Sequence, residues 1–350
     1  MNFNGALASI VPADAKIADA CIARFNQVAK PVGSLGKLEE LLAKIASIAG
    51  SEKINIDRKA VVVFCADNGV VRQGVAKYGN EVTTAVAGML GIGKASVSVM
   101  AKSCGAEVFG LDVGMVDTVK GFRDCKLMYG TNDITENAAM SRETAEKAIT
   151  VGIEMVKELK DKGFHLIATG EAGIGNTTTA SAVCAVLLNR SVSDVTGRGA
   201  GLDDAGLCRK IAAIEQAITV NRPDPNDPLD ILHKLGGLDI AAMVGLFIGG
   251  ALYRIPIVMD GFISGVAALL AVRLCPDVRD YILPSHESDE PGTRFLMEAL
   301  GFSPVIQAGM RLGEGTGAVA LFPLLDMALA VYRDAATFAD IQVEQYKRII

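Results

Sequence analysis

Five short, largely apolar runs punctuate this chain, and the stretches between them read as helices. That alternation leaves few folds open. The runs are Ala60–Asp67, Ala106–Asp112, Phe164–Thr169, Ile255–Asp260 and Asp280–Pro284. Their apolar residues are continuous, not alternating, as in strands covered on both faces. Helical patterning falls near 83–102, 141–160, 177–190, 203–220, 238–253, 264–274 and 293–300. Ser141 before Arg-Glu-Thr is a capped helix start with an acid in its first turn. The alternation predicts an α/β fold: a doubly wound, mainly parallel sheet with crossovers on both faces. The two ends depart from it, since residues 1–55 and 315–350 carry helical periodicity with few strand signals. A large α/β domain over 56–314, beside a smaller helical domain built from both chain ends, is the expected organisation.

Composition narrows the function classes. A net charge of -6 argues against a broad nucleic-acid surface. Seven cysteines, dispersed and without a C-x-x-C pair, suit free thiols in a reducing cytosol. The start, Met-Asn-Phe-Asn-Gly-Ala, lacks the basic and apolar regions of a signal peptide. The most apolar stretch, Ile240–Tyr253, falls short of the ~20 residues that span a bilayer and reads as a buried helix. The expectation is a cytoplasmic protein with no membrane or nucleic-acid partner.

In doubly wound sheets, ligands bind beyond the carboxyl ends of the strands. Gly170-Glu-Ala-Gly-Ile-Gly-Asn-Thr-Thr-Thr179 follows a strand candidate there and opens a helix. Backbone N–H groups at such a start, helped by threonine hydroxyls, favour an anion. Gly170 and Gly175 have P-loop separation, but Asn176 stands where the lysine that reaches a triphosphate would be. A dinucleotide fingerprint fails as well, because threonines follow Gly173-Ile-Gly175. A single phosphate suits the loop, and glycines serving only tight strand-to-helix packing are the structural alternative. Thr196-Gly-Arg-Gly-Ala-Gly-Leu-Asp-Asp204 is a second glycine-rich turn before a helix, and Lys210 on that helix could supply the missing positive charge. Ser285-His-Glu-Ser-Asp-Glu-Pro-Gly292 places hydroxyls and acids after the last strand. His286 has no histidine partner at metal-pair spacing, so no metal site is expected. Glu314, in Arg311-Leu-Gly-Glu-Gly-Thr-Gly-Ala318, is a lone acid on a glycine turn, either a helix-end acid or a group for proton transfer.

Read in order, these segments resemble the nicotinate-nucleotide–dimethylbenzimidazole phosphoribosyltransferase family over almost the whole chain. The resemblance begins at Lys30-Pro-Val-Gly-Ser-Leu-Gly-Lys-Leu-Glu39 and runs through Ala66-Asp-Asn-Gly-Val70, Asp112-Val-Gly114 and Gly170–Thr178. It continues in Gly197-Arg-Gly-Ala-Gly-Leu-Asp-Asp-Ala-Gly206, Asp260-Gly-Phe-Ile263 and Leu312–Gly317. It implies transfer of the 5-phosphoribosyl group from nicotinate mononucleotide to an aromatic base, with inversion at C1′, for cobamide assembly. The leaving nicotinate is already a pyridinium, so no general acid is needed. No pyrophosphate departs, so neither Mg²⁺ nor another cofactor is implied. By resemblance Glu314 is the base and Glu171 lies near the ribose. Gly173, Gly175, Asn176, Thr177, Thr178, Gly199, Lys210, Asp260, Ser288, Gly313 and Gly315 surround the nucleotide. A dimer, of identical chains or with a paralogue, is also implied.

The acceptor side departs from the family pattern. Asn68 replaces a histidine, Ala76 a hydroxyl residue, Gly79 a proline, and Thr84 stands where glutamine is usual; Thr293 follows Glu-Pro-Gly in place of histidine. Ala76 and Thr84 are the expected acceptor contacts. Fewer polar groups for an imidazole's far nitrogen would weaken discrimination for benzimidazoles. The departures therefore raise a broader acceptor set, including phenol or p-cresol, or a non-catalytic subunit that only completes a partner's site.

Overall fold

The computed structural model describes residues 3–120 and 122–345. Its centre is a six-stranded sheet: β1 Lys59–Ala66, β2 Ala106–Gly114, β3 Arg123–Asp124, β4 Leu166–Ala172, β5 Ile257–Met259 and β6 Ile282–Pro284. The strands lie in the order β3-β2-β1-β4-β5-β6, and every pairing is parallel. The five apolar runs each form a strand. The sixth, β3, is two exposed polar residues with no apolar signal to announce it. The chain moves outward from β1 to β3, then returns to add β4 on the other side of β1. That reversal leaves a crevice at the carboxyl ends of β1 and β4.

Every residue of β1 is buried. Ala60, Val62, Phe64 and Ala66 enter one core; Val61, Val63 and Cys65 enter the other. The first core holds helix Leu238–Tyr253, whose residues Leu238–Ala251 are all buried. Its glycines let helix Arg142–Asp161 approach unusually closely. A Cβ on Gly245 would lie 1.9 Å from the Ile149 carbonyl oxygen, and one on Gly152 would lie 2.0 Å from that of Ala242. Helix Arg142–Asp161 starts where expected, with the Ser141 hydroxyl accepting the Thr144 N–H.

The second core takes helices from both chain ends, Ala15–Gln27, Lys37–Ala49 and Thr316–Asp334. Ala29 N–H donates to the Ala336 carbonyl at 2.8 Å, and Phe338 N–H to that of Gln27 at 2.9 Å. Phe25 and Tyr332 pack with ring centroids 4.8 Å apart and planes tilted by 55°. Helix Thr316–Asp334 is apolar and long enough to reach across a bilayer. Leu321, Phe322 and Leu325 bury its inner face here. The helix expected over 83–102 is two helices, Glu81–Gly91 and Ser96–Ser103, broken where Gly93 takes φ 71°.

Gly245→Ala is expected to destabilise the protein by about 3 kcal/mol, since a rigid helix seam must open for one methyl. Gly88→Ala, in helix Glu81–Gly91 with no atom within 4 Å of the added Cβ, should be neutral or stabilising. Urea denaturation midpoints of both variants measure the difference, and equal midpoints would refute the close seam.

Candidate active site

A cavity of about 310 Å³ opens at the carboxyl ends of the strands. Its floor is Glu171 of β4 and the loop to Thr177. One side is Asp260–Ser264 after β5, with His286, Ser288 and Glu290 after β6. The roof is Arg311–Glu314, and the far wall runs from Val75 to Val86.

Asp260 holds the roof. Its carboxylate accepts N–H groups from Gly315 at 3.2 Å, Gly317 at 2.8 Å and Ala318 at 3.0 Å. These are the free donors at the start of helix Thr316–Asp334, so Asp260 caps that helix from β5. Burial pushes the Asp260 carboxyl up, while His286, 4.0 Å away, and the N–H donors pull it down. The turn above this cap is sharp: Gly313, Glu314 and Gly315 have φ of 84°, 61° and 96°. Only glycine adopts such angles freely, so Glu314 is held there by its surroundings. A Cβ on Gly170 would lie 2.4 Å from the Glu314 carbonyl oxygen, which explains that glycine. The Glu314 carboxylate lines the cavity and accepts the Val97 N–H at 3.1 Å. It therefore also caps a helix, though a different one from its own, Ser96–Ser103.

Glu171 meets the same turn from below. Its carboxyl accepts the Glu314 N–H, and a Cβ on Gly313 would lie 2.5 Å from its Oε1. The Asn176 amide donates to Glu171 and, at 3.1 Å, to Asp239. Burial raises Glu171 well above the carboxylate range, with Asp239 and Asp260 adding to the rise. Burial also pushes Asp239 up to about 6, opposed by Asn176. Burial thus biases Glu171 toward its neutral form when no cation lies beside it.

Gly173 passes close to β1, where a Cβ would lie 2.3 Å from the Ala66 carbonyl oxygen. Gly175, at φ 86°, begins helix Asn176–Leu188. Asn68 donates to the Ile174 carbonyl at 3.2 Å, and the Thr83 hydroxyl accepts the Ile174 N–H at 3.0 Å. Lys210 is completely buried, donating to Thr177 Oγ1 at 2.9 Å and the Gly197 carbonyl at 3.1 Å. Burial lowers it to about 8, against the opposing charge of Glu290. Gly199, at φ 52°, completes this corner: a Cβ there would lie 2.8 Å from Thr177 Oγ1 and 3.3 Å from Lys210 Nζ.

Eleven expected residues line the cavity: Ala76, Glu171, Gly173, Gly175, Asn176, Thr177, Gly199, Asp260, Ser288, Gly313 and Glu314. Lys210 and Gly315 stand directly behind it, through Thr177 and Asp260. Thr178 is fully buried and not in the wall. Thr84 turns away, its hydroxyl 3.1 Å from Asp117, and Thr83 takes its place. The sequence reading did not single out Asp239, Glu290, Arg311 or the apolar wall of Val75, Val82 and Val86. An acid opening the most apolar helix was the one available signal for Asp239.

A family profile described as Phosphoribosyltransferase matches residues 10–343. A protein of Acetivibrio thermocellus named nicotinate-nucleotide–dimethylbenzimidazole phosphoribosyltransferase is 47% identical over 326 residues, 93% of either chain. Its namesake in Ruminiclostridium cellulolyticum is 44% identical over 349 residues, 99% of either chain. Among solved structures, CobT from Thermus thermophilus superposes with a TM-score of 0.90 at 37% identity, covering 95% of this chain and 100% of that one. With relatives matched end to end and the strand order, glycine loops and acidic turn in place, this chain belongs to the nicotinate-nucleotide–dimethylbenzimidazole phosphoribosyltransferase family.

Proposed function

We propose that this cavity moves the 5-phosphoribosyl group of nicotinate mononucleotide onto a ring nitrogen of dimethylbenzimidazole or a related aromatic base. The products are nicotinate and an α-riboside phosphate for cobamide (vitamin B12) nucleotide-loop assembly. The observation that carries the reading is the meeting of two acids, Glu171 and Glu314, at one glycine turn over the cavity.

The acceptor nitrogen's lone pair attacks C1′ from the face opposite nicotinate. The C1′–N bond breaks, and its electron pair neutralises the departing pyridinium. The proton on the acceptor's other nitrogen passes to Glu314, whose carboxylate the Val97 N–H orients. Glu171 answers the positive charge of the pyridinium and of the developing oxocarbenium. A cation beside it favours its anion, opposing the upward push of burial. Thr177, Gly199, Ser288 and Lys210 take the phosphate. Val75, Ala76, Val82 and Val86 form an apolar slot for the aromatic acceptor. Ala76 brings no hydroxyl to it and Thr84 is engaged with Asp117, which supports relaxed choice among acceptors, phenols included.

The reading extends to a dimer. Met89, Ile92, Val99 and Met327 are 46–61% exposed on helices that share one face of the sheet, a surface suited to a second similar chain. In this scheme 1–55 and 315–350 form a small helical domain, a reading supported by the ties of Ala29 to Ala336 and of Phe338 to Gln27 within the described residues 3–55 and 315–345. The seven free thiols suit a cytoplasmic location.

Purified protein incubated with nicotinate mononucleotide and dimethylbenzimidazole, adenine or phenol should release nicotinate and form an α-riboside phosphate, separated by chromatography. No product with any acceptor, even with a co-expressed paralogue, would sink the reading. Glu314→Gln, which keeps an oxygen for Val97, should lower kcat by ~10²–10⁴-fold with little change in KM. Lys210 is charged below about 8 and loses its charge as pH rises through that value. kcat/KM for the mononucleotide should therefore hold below pH 8 and fall above it. Lys210→Arg should remove the fall, because arginine stays charged. An unaltered profile in that variant would separate Lys210 from the phosphate.

A further inference from the structure

One carboxylate in the cavity does not fit the reaction. Glu290 belongs to the loop after β6, yet its side chain reaches into the glycine turn at 197–201. A Cβ on Gly197 would lie 2.0 Å from Glu290 Oε2. The carboxylate accepts the Gly199 N–H and feels the charge of the Lys210 ammonium from beyond ion-pair distance. Thr177 Oγ1 and Lys210 Nζ approach the neighbouring Gly199, 2.8 and 3.3 Å from where its Cβ would lie, so their donors border the same glycine turn. Glu290 Oε2 is shielded from solvent and has no hydrogen-bond partner among the described residues. An unpaired buried carboxylate oxygen is costly, so its position calls for an explanation.

We propose that Glu290 is an internal anion that occupies the phosphate cradle of the ligand-free enzyme and leaves it when the nucleotide's phosphate arrives. The inference rests on the assignment of this corner to the phosphate. Without ligand, Lys210 would be a fully buried cation lacking a counter-charge, and Glu290 supplies one. A phosphate cannot share the corner with an ionised carboxylate, because like charges in so dry a place repel strongly. Burial raises the Glu290 carboxyl and Asp289 adds to the rise, while Lys210 and Arg311 oppose it. Arg311, in the cavity's roof, is the cation toward which the displaced carboxylate can turn.

The arrangement works as a filter against small anions. Inorganic phosphate brings only its charge and must expel Glu290 with that alone. Nicotinate mononucleotide brings a pyridinium and a ribose as well, and their contacts offset the expulsion. Glu290 thus sets selectivity for the nucleotide over free phosphate without touching the reacting atoms.

Calorimetric titration of wild type and Glu290→Gln with inorganic phosphate, nicotinate mononucleotide and nicotinate riboside tests the idea, with thermal melts alongside. The variant should bind inorganic phosphate about tenfold or more tightly than wild type does. The mononucleotide should gain by a smaller factor and the riboside should not change. The ligand-free variant should melt below wild type, and added phosphate should restore it more than it raises wild type. Glu290→Asp, whose shorter side chain withdraws the carboxylate, should shift phosphate binding in the same direction and serves if the glutamine variant does not fold. Equal or weaker phosphate binding by both variants would overturn the proposal. If wild type binds riboside as tightly as mononucleotide, the phosphate assignment itself fails, which is a separately readable result.

Discussion

The catalytic end of this protein depends on one buried carboxylate. Asp260 leaves the end of β5 and takes three N–H groups from the start of helix Thr316–Asp334. The sheet's parallel register aligns β5 with β4 and β6, so the cap ties the Glu314 turn to the strands that carry Glu171 and the His286 loop. Charge-assisted bonds of this kind are stronger than neutral ones and fix geometry as well as energy. Glu314 sits at a positive φ that a free chain would avoid, and the Asp260 cap is what holds it there. The placement of the Glu314 carboxylate in the cavity and helix capping by Asp260 are therefore one mechanical unit.

Much of the fold was legible because its strands are buried on both faces. Continuous apolar runs between helical stretches leave a parallel sheet as the economical arrangement, and every run became a strand. What escaped notice lacked that signature. β3 is Arg123–Asp124, exposed and polar. The helix expected at 83–102 is interrupted over residues 92–95, which short-range periodicity does not register. Thr84 shows the limit of carrying a position over by motif, since a one-residue step on a helix turns the side chain by about 100°. That rotation sends Thr84 to Asp117 and brings Thr83 to the cavity. Glu314 was ambiguous between cap and base because it has features of both. Its carboxylate caps Ser96–Ser103, a helix more than two hundred residues away in sequence, and no local pattern could reveal that. Asp260 had an expected place beside the nucleotide; its hold on the roof emerges only in three dimensions.

The cavity concentrates unfavourable electrostatics. Glu171 and Asp239 are two buried carboxyls bridged by a single amide, and Lys210 is a fully buried ammonium. None of these would be chosen for stability, and burial shifts each toward its neutral form. A ligand with a cationic ring at one end and a phosphate at the other answers both tensions at once. The charges on the cavity wall thus suit such a molecule at both ends, although the phosphate end must first be vacated by Glu290. The surrounding frame, with its dense cores on both sheet faces, supplies the stability that the site consumes.

The contrast between the helix seam and the acceptor wall bears on how such a protein changes over generations. At Gly152 and Gly245 a single methyl has nowhere to go, so drift there is purged as loss of fold. Val75, Ala76, Val82 and Val86 stand on the opposite side of the molecule's economy. Val75 is itself part of the core, but Ala76, Val82 and Val86 are only half-buried beside the cavity, so swaps among small and branched apolar residues at those three reshape the pocket at little cost to folding. The shape of this wall can therefore change by single steps through viable intermediates, while the tightly packed seam stays constant. A lineage built on this scaffold can diversify in what it attaches without relearning how to fold.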